Sequence, residues 1–296
     1  MARAKSPALP LVTRERCRTM NDPRLLRLAQ LLIDHSCQLG RGEKLLIEAI
    51  DLPQPTLVNR LIEMAAERGA HPLVTWKSNA VLRSLYRTGS SVNLGLAGEF
   101  ERVRMEQMDA YIGIRGAANS DQFSDVPLAQ MELYQKHWWQ PVHSQVRVPK
   151  TKWVVLRYPT DSMAQAAQMS TEAFEDFYFD VCTMDYAKMA GAMTPLRDLM
   201  QKTNTVRVKA PDTDLTMSIK GIPAIPCTGD KNIPDGEVFT APVKTSVNGK
   251  IRFNAPTIYL GSRFQDVRLE FRNGKVVSAP ASDTKRFNEI LDSDEG

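Results

Sequence analysis

The sequence predicts an α/β fold in two parts. The first is an N-terminal domain with a mostly parallel sheet flanked by helices, and the second is a mainly antiparallel, β-rich α+β domain. Apolar runs alternate with helical patterns as far as about residue 200, which is the order of βαβ units. Beyond Asn204, strands joined by tight turns replace that order. The 296 residues, with 43% hydrophobic and 24% charged, are enough for roughly two soluble domains.

Residues 1–19 are predicted to be a disordered basic tail. They show no apolar periodicity and carry one acid, Glu15, against five basic residues: Arg3, Lys5, Arg14, Arg16 and Arg18. Such a segment resembles a transit peptide, but an over-extended start codon is preferred because Met20 begins a natural helix start. With no apolar face to bury, the tail should be dispensable for thermal stability.

The first predicted elements form a βαβ unit. A helix begins at Asp22, and the apolar run Lys44–Ile50 follows as a strand. Pro55 precedes a second helix that Gly69 closes, and the next strand is His71–Trp76. Strand, helix and strand in about 30 residues give a right-handed crossover between parallel strands. Two later runs extend the same sheet: Tyr111–Gly116 and Lys152–Pro159.

A long helical region is predicted from Ser170 to about Ala192. Its apolar residues recur at helical spacing and are expected to face the core: Phe174, Phe177, Tyr178, Val181 and Met184. Thr194 and Pro195 then have the pattern of an N-cap and a first helical residue, which predicts a separate short helix to Lys202. A domain boundary near residue 200 follows, giving domains 20–200 and 201–296.

The second half is predicted to be strands connected by hairpin turns. Asn248-Gly249 and Asn273-Gly274 each lie between alternating apolar residues, and Asn-Gly is the strongest short-range hairpin signal. A last helix is expected from Thr284 to Leu291.

Composition argues against several classes of partner. The net charge of +4 falls short of the basic footprint of a nucleic-acid-binding domain. No apolar run approaches the roughly 20 residues of a membrane helix. The four cysteines form no C-x-x-C pair, which favours reduced thiols in a cytoplasmic protein over a zinc knuckle or a disulfide framework.

The familiar motifs of nucleotide binding, zincins and serine hydrolases are absent from the sequence. The four histidines lack metal-ligand spacing and are interpreted as structural: His35, His71, His137 and His143. The polar loop Arg115–Pro127 follows a strand at the end where open α/β sheets bind ligands. It is either an ordinary surface loop or a substrate contact.

Glu237 is the candidate functional residue. In GDKNIPDGEVFTAP it follows a Pro-Asp-Gly sequence that favours a tight turn, and Pro242 ends the short strand after it. A carboxylate on so restricted a bend suits metal binding or proton transfer. The alternative is a surface hairpin with a solvated Glu.

This stretch, with SVNGKIRFNAPTIYLG and VRLEFRNGKVV, resembles the metallo-aminopeptidases typified by aminopeptidase T and aminopeptidase S. Further similar segments extend the resemblance from about Met20 to Gly296: DPRLLRLAQLLIDHS, FEDFYFDVCTMDYAKM, MTPLRDLMQKTNTVRV and FNEILDSDEG.

The resemblance implies a homodimeric enzyme that removes N-terminal residues from peptides with two divalent ions: zinc, cobalt, manganese or magnesium. It implies that Glu237 is a metal ligand, and that residues 201–296 are the N-terminal part of the catalytic domain. In the family the other ligands follow the segment that matches LDSDEG, whereas this sequence stops at Gly296. The chain alone is therefore expected to be inactive.

Two other functions stay open. One is a non-catalytic binding or assembly protein that kept the scaffold and lost the metal site. The other is a nucleotide-binding α/β protein, which the missing glycine fingerprint disfavours.

Overall fold

The computed structural model describes residues 22–259 and 262–292. The predicted basic tail, 1–19, lies outside these residues. Among the helices described, none has the length and apolarity needed to span a membrane. The architecture is mixed, with one five-stranded parallel sheet, one five-stranded antiparallel sheet and two two-stranded ribbons.

The N-terminal part alternates strands and helices as predicted. Its strands are β1 (Lys44–Ile50), β2 (His71–Lys77), β3 (Ala110–Arg115) and β4 (Lys152–Arg157). Its helices are α1 (Pro23–Gln30, continued in wider π-type turns by Leu31–Ser36), α2 (Thr56–Glu67), α3 (Asn79–Thr88), α4 (Ser91–Met105), α5 (Leu128–Tyr134, continued by Gln135–Arg147), α6 (Asp161–Ala166), α7 (Thr171–Cys182) and α8 (Tyr186–Lys202).

The parallel sheet is covered on both faces. Leu45 and Ile47 of β1 point to a core formed with α1, α2 and α7, whereas Leu46 packs on the opposite face with α3, α4 and the helix that follows α5. Burial on both faces explains why β1 and β3 read as continuous apolar runs. The strand order is β2-β1-β3-β4, so the chain reverses its direction of travel across the sheet between β1 and β3.

The prediction of one long helix from Ser170 to about Ala192 is wrong, because the structure has two helices there. Helix α7 ends at Cys182, and Asp185 begins α8 by accepting a hydrogen bond from the Lys188 backbone N–H at 2.9 Å. Helix α8 then runs through Pro195, which is no helix start. A proline inside a helix removes one backbone donor, and here the helix continues on both sides of it.

The aromatic stripe of α7 is only partly buried. Phe174 and Tyr178 are in the core, as predicted, but Phe177 is 55% exposed and Met184 lies beyond the helix. The side chains that complete the buried face are Phe179 and Cys182. Phe174, Tyr178 and Cys182 recur every four residues and so lie along one face of α7.

The second half contains the strands β5 (Thr205–Ala210), β6 (Thr213–Ser218), β7 (Ile225–Pro226), β8 (Asn232–Ile233), β9 (Val238–Phe239), β10 (Asn248–Phe253), β11 (Thr257–Tyr259), β12 (Ser262–Phe264), β13 (Val267–Arg272) and β14 (Lys275–Ser278). The antiparallel sheet has the order β14-β13-β10-β6-β5. The last helix, α9 (Thr284–Leu291), has the predicted bounds.

The two Asn-Gly pairs have different structures. Asn273-Gly274 makes the predicted hairpin between β13 and β14, with both residues at positive φ. Asn248-Gly249 is not a turn, because both residues lie inside β10 and pair with Thr216 and Leu215 of β6. A Cβ at Gly249 would lie 2.1 Å from the Asp214 carbonyl oxygen, so this glycine permits a close approach of two strands.

Strand β8 lies after the predicted domain boundary, yet it pairs in parallel with β4 of the first sheet. Its Ile233 is buried in the core shared with α1 and α7. The segment just before Glu237 is therefore anchored in the N-terminal part.

Candidate functional site

Glu237 lies between β8, at the edge of the parallel sheet, and β9, which forms a ribbon with β7. Its backbone carbonyl accepts a hydrogen bond from the Cys227 N–H at 2.8 Å, which extends that ribbon by one residue. The side chain is exposed in a shallow, open depression formed with Val181, Pro234 and Gly236. The Glu237 segment is thus held by strand pairing on both sides, through β8 before it and the β7–β9 ribbon after it.

Asp235 holds the backbone of this loop together. Its Oδ2 accepts a hydrogen bond from the Gly229 N–H at 2.9 Å, and its own N–H donates to the Tyr186 hydroxyl at 3.2 Å. Gly229 adopts φ 78°, and a Cβ there would lie 2.7 Å from the Tyr186 ring. Asp235 therefore shapes the loop, as expected for the Asp of a Pro-Asp-Gly turn.

His35 and Ser36, the last two residues in the π-type continuation of α1, fix the other side of the loop. The Ser36 hydroxyl donates to the Gly229 carbonyl at 2.6 Å, and His35 Nε2 lies 2.7 Å from the Thr228 carbonyl oxygen. His35 thus has the structural position expected for it. These contacts connect residues 193 positions apart in the chain.

Negative charge accumulates around the loop. Burial raises the pKa of Asp235, and the nearby Asp230 and Glu237 carboxylates raise it further. Burial also raises the pKa of the Cys227 thiol, with Asp235 and Glu237 adding to the effect. Nearby carboxylates disfavour further negative charge, and a cation at this loop would reverse that effect.

The Glu237 carboxylate has the donor atoms that a divalent cation needs. Among the described residues its side chain contacts the Cys227 thiol, 4.0 Å from Oε1, and is otherwise exposed to solvent. The described part of the chain contains no group of three His, Cys, Asp or Glu side chains arranged to hold a metal. Glu237 therefore fits as one ligand, and the described residues do not bring a complete ligand set to it.

A family model described as thermophilic metalloprotease (M29) matches residues 21–296, nearly the whole chain. The chain belongs to the M29 metalloprotease family. Membership agrees with the resemblance inferred from the Glu237 stretch and its neighbours.

Curated relatives of this M29 chain are aminopeptidases. Aminopeptidase PepS of Streptococcus thermophilus is 21% identical, over 90% of this chain and 72% of its own length. Aminopeptidase 2 of Geobacillus stearothermophilus is 24% identical, over 91% of this chain and 73% of its own length.

The fold is that of a solved structure. AmpT from Thermus thermophilus superposes with a TM-score of 0.78 at 20% identity, over 93% of this chain and 75% of that one. This match supports the predicted combination of a parallel and an antiparallel sheet.

Sequence reasoning overlooked a second polar cluster, at the carboxyl end of the parallel sheet. Glu48 and His143 are buried there, in a cavity that the loop after β3 also lines. Glu48 falls inside a predicted strand, Lys77 follows one directly, and His143 lacks metal-ligand spacing. The signal that could have indicated this site is the presence of polar residues at the carboxyl ends of parallel strands, where open α/β sheets bind ligands.

Proposed function

We propose that this M29 chain is a metal-dependent aminopeptidase component that releases N-terminal residues from peptides. Family membership over residues 21–296 carries the proposal, and the exposed Glu237 carboxylate on a tightly held loop supports it. The proposed cofactor is a pair of divalent ions, with Glu237 as one ligand.

Two such ions would polarise the scissile carbonyl and lower the pKa of a bound water. The part played by this chain is to supply an anionic oxygen at a fixed place. Asp235 and Tyr186 fix the backbone on one side of Glu237, and the bond from the Cys227 N–H fixes the other side. Such restraint limits the entropy lost when a side chain engages a ligand.

The proposal is tested by Glu237→Gln, which keeps shape and hydrogen-bonding capacity but removes the charge. Zinc and cobalt affinity is measured by calorimetry on the chain, and peptidase activity on the chain and on any longer product of its reading frame. Because even an outer-shell partner contributes about 10–100-fold to metal affinity, the loss of a ligand should weaken binding at least as much. Activity should fall while the melting temperature is kept, and added metal should restore part of the rate.

Asp235→Asn is the matched control, because an amide oxygen can still accept the hydrogen bond from the Gly229 N–H. It should cost much less metal affinity than Glu237→Gln. Equal losses, or metal binding that Glu237→Gln leaves unchanged, would show that Glu237 is a solvated surface residue. If the protein made from the whole reading frame neither binds metal nor cleaves peptides, that result would instead support the non-catalytic binding or assembly function.

The proposed setting is a cytoplasmic homodimer. The described cysteines, Cys37, Cys182 and Cys227, are free thiols, which suits a reducing compartment. The outer strand β2 leaves Val74 and Trp76 exposed by 42% and 48%, and open apolar edges favour association between chains. Inactivity of the chain by itself, and the division into domains 20–200 and 201–296, stay predictions.

A further inference from the structure

Three cationic side chains form a row across the carboxyl end of the parallel sheet. The last residues of four strands are in register: Lys77 with Ile50, Ile50 with Arg115, and Arg115 with Arg157. Register partners in a parallel sheet project from the same face. Lys77, Arg115 and Arg157 therefore lie on the face that α3, α4 and the helix after α5 cover.

This row borders the point where the strand order reverses. After β1 the chain passes to α2 on one face of the sheet, and after β3 it passes through the loop to α5 on the other face. Connections that diverge in this way leave a crevice at the carboxyl ends of the two strands, which is where open α/β sheets bind ligands.

The crevice holds a partly open cavity of about 330 Å³. One wall is aromatic: Tyr134 lies 4.1 Å from Tyr86 between ring centroids, and Trp138 meets both rings edge-on. Trp139 also lines the cavity. Arg115 and Arg157 also line the cavity, and both are exposed, which places them at its rim.

The acidic residue at the base of the cavity is already neutralised. Glu48 accepts hydrogen bonds from Lys77 Nζ at 2.9 Å and from the Tyr111 hydroxyl at 3.0 Å. Burial would raise the pKa of Glu48, but Lys77 outweighs it and holds that pKa below its usual value. A bound anion would therefore meet an ion pair here rather than a free carboxylate.

Arg115 and Arg157 have no counter-ion of this kind. Neither guanidinium has a hydrogen bond or an ion pair with any residue of the described ranges, 22–259 and 262–292. Their strands lie about 4.8 Å apart, and like charges on paired residues destabilise a sheet. Two unpaired arginines on neighbouring strands at a cavity rim offer the forked donors that a planar oxyanion fits.

His143 adds a neutral donor inside the cavity. Only 5% of His143 is exposed, and its Nδ1 accepts a hydrogen bond from Arg147 Nε at 3.0 Å. Burial lowers the pKa of His143 to about 4, so the ring is neutral at pH 7 and its proton is on Nε2. Nε2 has no hydrogen-bond partner among the described residues.

We propose that this cavity is a second binding site, separate from the Glu237 loop, for a small organic carboxylate with a planar apolar body. Arg115 and Arg157 hold the carboxylate, and the body lies against Tyr134, Trp138 and Trp139. The site does not depend on metal or on the proposed peptidase activity.

The surroundings favour a carboxylate over a phosphate ester. The sequence has no glycine-rich loop after a strand to offer backbone N–H groups to a phosphate. The aromatic wall instead provides apolar area, and aromatic pairs contribute about 0.5–1.5 kcal/mol beyond the area that they bury. A ligand with a carboxylate and a planar apolar body can contact both the two arginines and the aromatic wall.

The test is calorimetric titration of the purified chain with indole-3-propionate, its neutral amide and inorganic phosphate. Because charge-assisted hydrogen bonds are roughly twice as strong as neutral ones, the amide should bind about tenfold more weakly. The double variant Arg115→Gln/Arg157→Gln should lose at least as much affinity. It should melt at the same temperature or higher, since it removes two adjacent like charges.

Arg207→Gln is the control, because Arg207 is an exposed arginine of β5 paired with Asp214 in the other sheet. It should leave the affinity for indole-3-propionate unchanged. The proposal is overturned by an absence of saturable binding up to about 10 mM, by equal binding of acid and amide, or by equal losses in the control and the double variant. If inorganic phosphate binds as tightly as indole-3-propionate, the site does not select an organic carboxylate and the proposed ligand class is wrong.

Discussion

Lys77 and Glu48 form an ion pair of 2.9 Å in which 14% and 4% of the two side chains are exposed. Glu101 contacts the same ammonium at 2.8 Å, so one lysine serves two carboxylates. Burial lowers the pKa of Lys77, but the two carboxylates outweigh it and raise that pKa above its usual value. The cluster joins β1, β2 and α4 at the carboxyl end of the parallel sheet.

Lys77→Met should destabilise the protein strongly, because it leaves the Glu48 carboxylate buried without its cation. Breaking a buried pair from one side costs about 3–5 kcal/mol. Urea unfolding followed by far-UV circular dichroism measures the change. The double variant Lys77→Met/Glu48→Gln should recover a large part of the loss, and a double variant no more stable than Lys77→Met would refute the buried-charge explanation.

His143 should make the protein less stable at acid pH. Its folded pKa of about 4 lies below the ordinary 6.5 because burial disfavours the charged ring, and the cations Arg147, Arg115 and Lys77 add to this while Glu48 opposes it. Between these two values the unfolded chain binds more protons, so stability rises with pH. The shift corresponds to about 3 kcal/mol lost on going from pH 6.5 to pH 4.

His143→Asn removes the titrating group and retains an oxygen that can accept the Arg147 bond. The free energy of unfolding of this variant, measured from pH 4 to 6.5, should depend less steeply on pH than that of the original chain. Parallel curves for the two proteins would mean that His143 titrates normally in the folded state.

Gly274→Ala should destabilise the second half through a steric clash. Gly274 has φ 80°, and a Cβ there would lie 1.7 Å from the Lys244 carbonyl oxygen. Gly221 has nearly the same φ, 77°, but open space around its Cβ. Gly221→Ala should therefore cost only the left-handed strain of about 1–2 kcal/mol, and Gly274→Ala clearly more. Equal losses in thermal melting would show that the backbone at Gly274 moves freely.

The second half should bind a hydrophobic dye or self-associate, because its strands leave apolar side chains uncovered. Every residue of β14 is exposed, with Val277 at 50%, and so are Phe253 at 46% and Tyr259 at 56%. Contiguous exposed apolar surface marks association sites. Light scattering and dye fluorescence measure both effects, and a monomer that binds no dye would show that this surface is too dispersed to act as one patch.

Local signals in the sequence predicted the elements whose determinants are themselves local. Asn273-Gly274 forms its hairpin because both residues tolerate positive φ. The same dipeptide at Asn248-Gly249 lies within a strand, because pairing with β6 fixes its conformation. Propensity is a preference that contacts distant in the chain can override.

The Glu237 loop was predictable as a restricted segment from Pro234, Asp235 and Gly236, although the structure has a bend at Pro234 rather than the expected tight turn. Its anchoring was not predictable, because Ser36 and Tyr186 reach it from far along the chain. The same holds for the cavity, where Glu48, Lys77, Arg115 and His143 come from four separate elements.

By itself the sequence determined the alternation of strands and helices in the first half, the change from a parallel to an antiparallel sheet, and the resemblance that led to the M29 family. Only the tertiary structure decided that β8 returns to the first sheet, that α8 continues through Pro195, and that Arg115 and Arg157 lie side by side. The physical reason is range. Hydrophobic period and turn chemistry act over a few residues, whereas strand register and helix packing join residues that the chain keeps far apart, and the free energy of those contacts exceeds local preference.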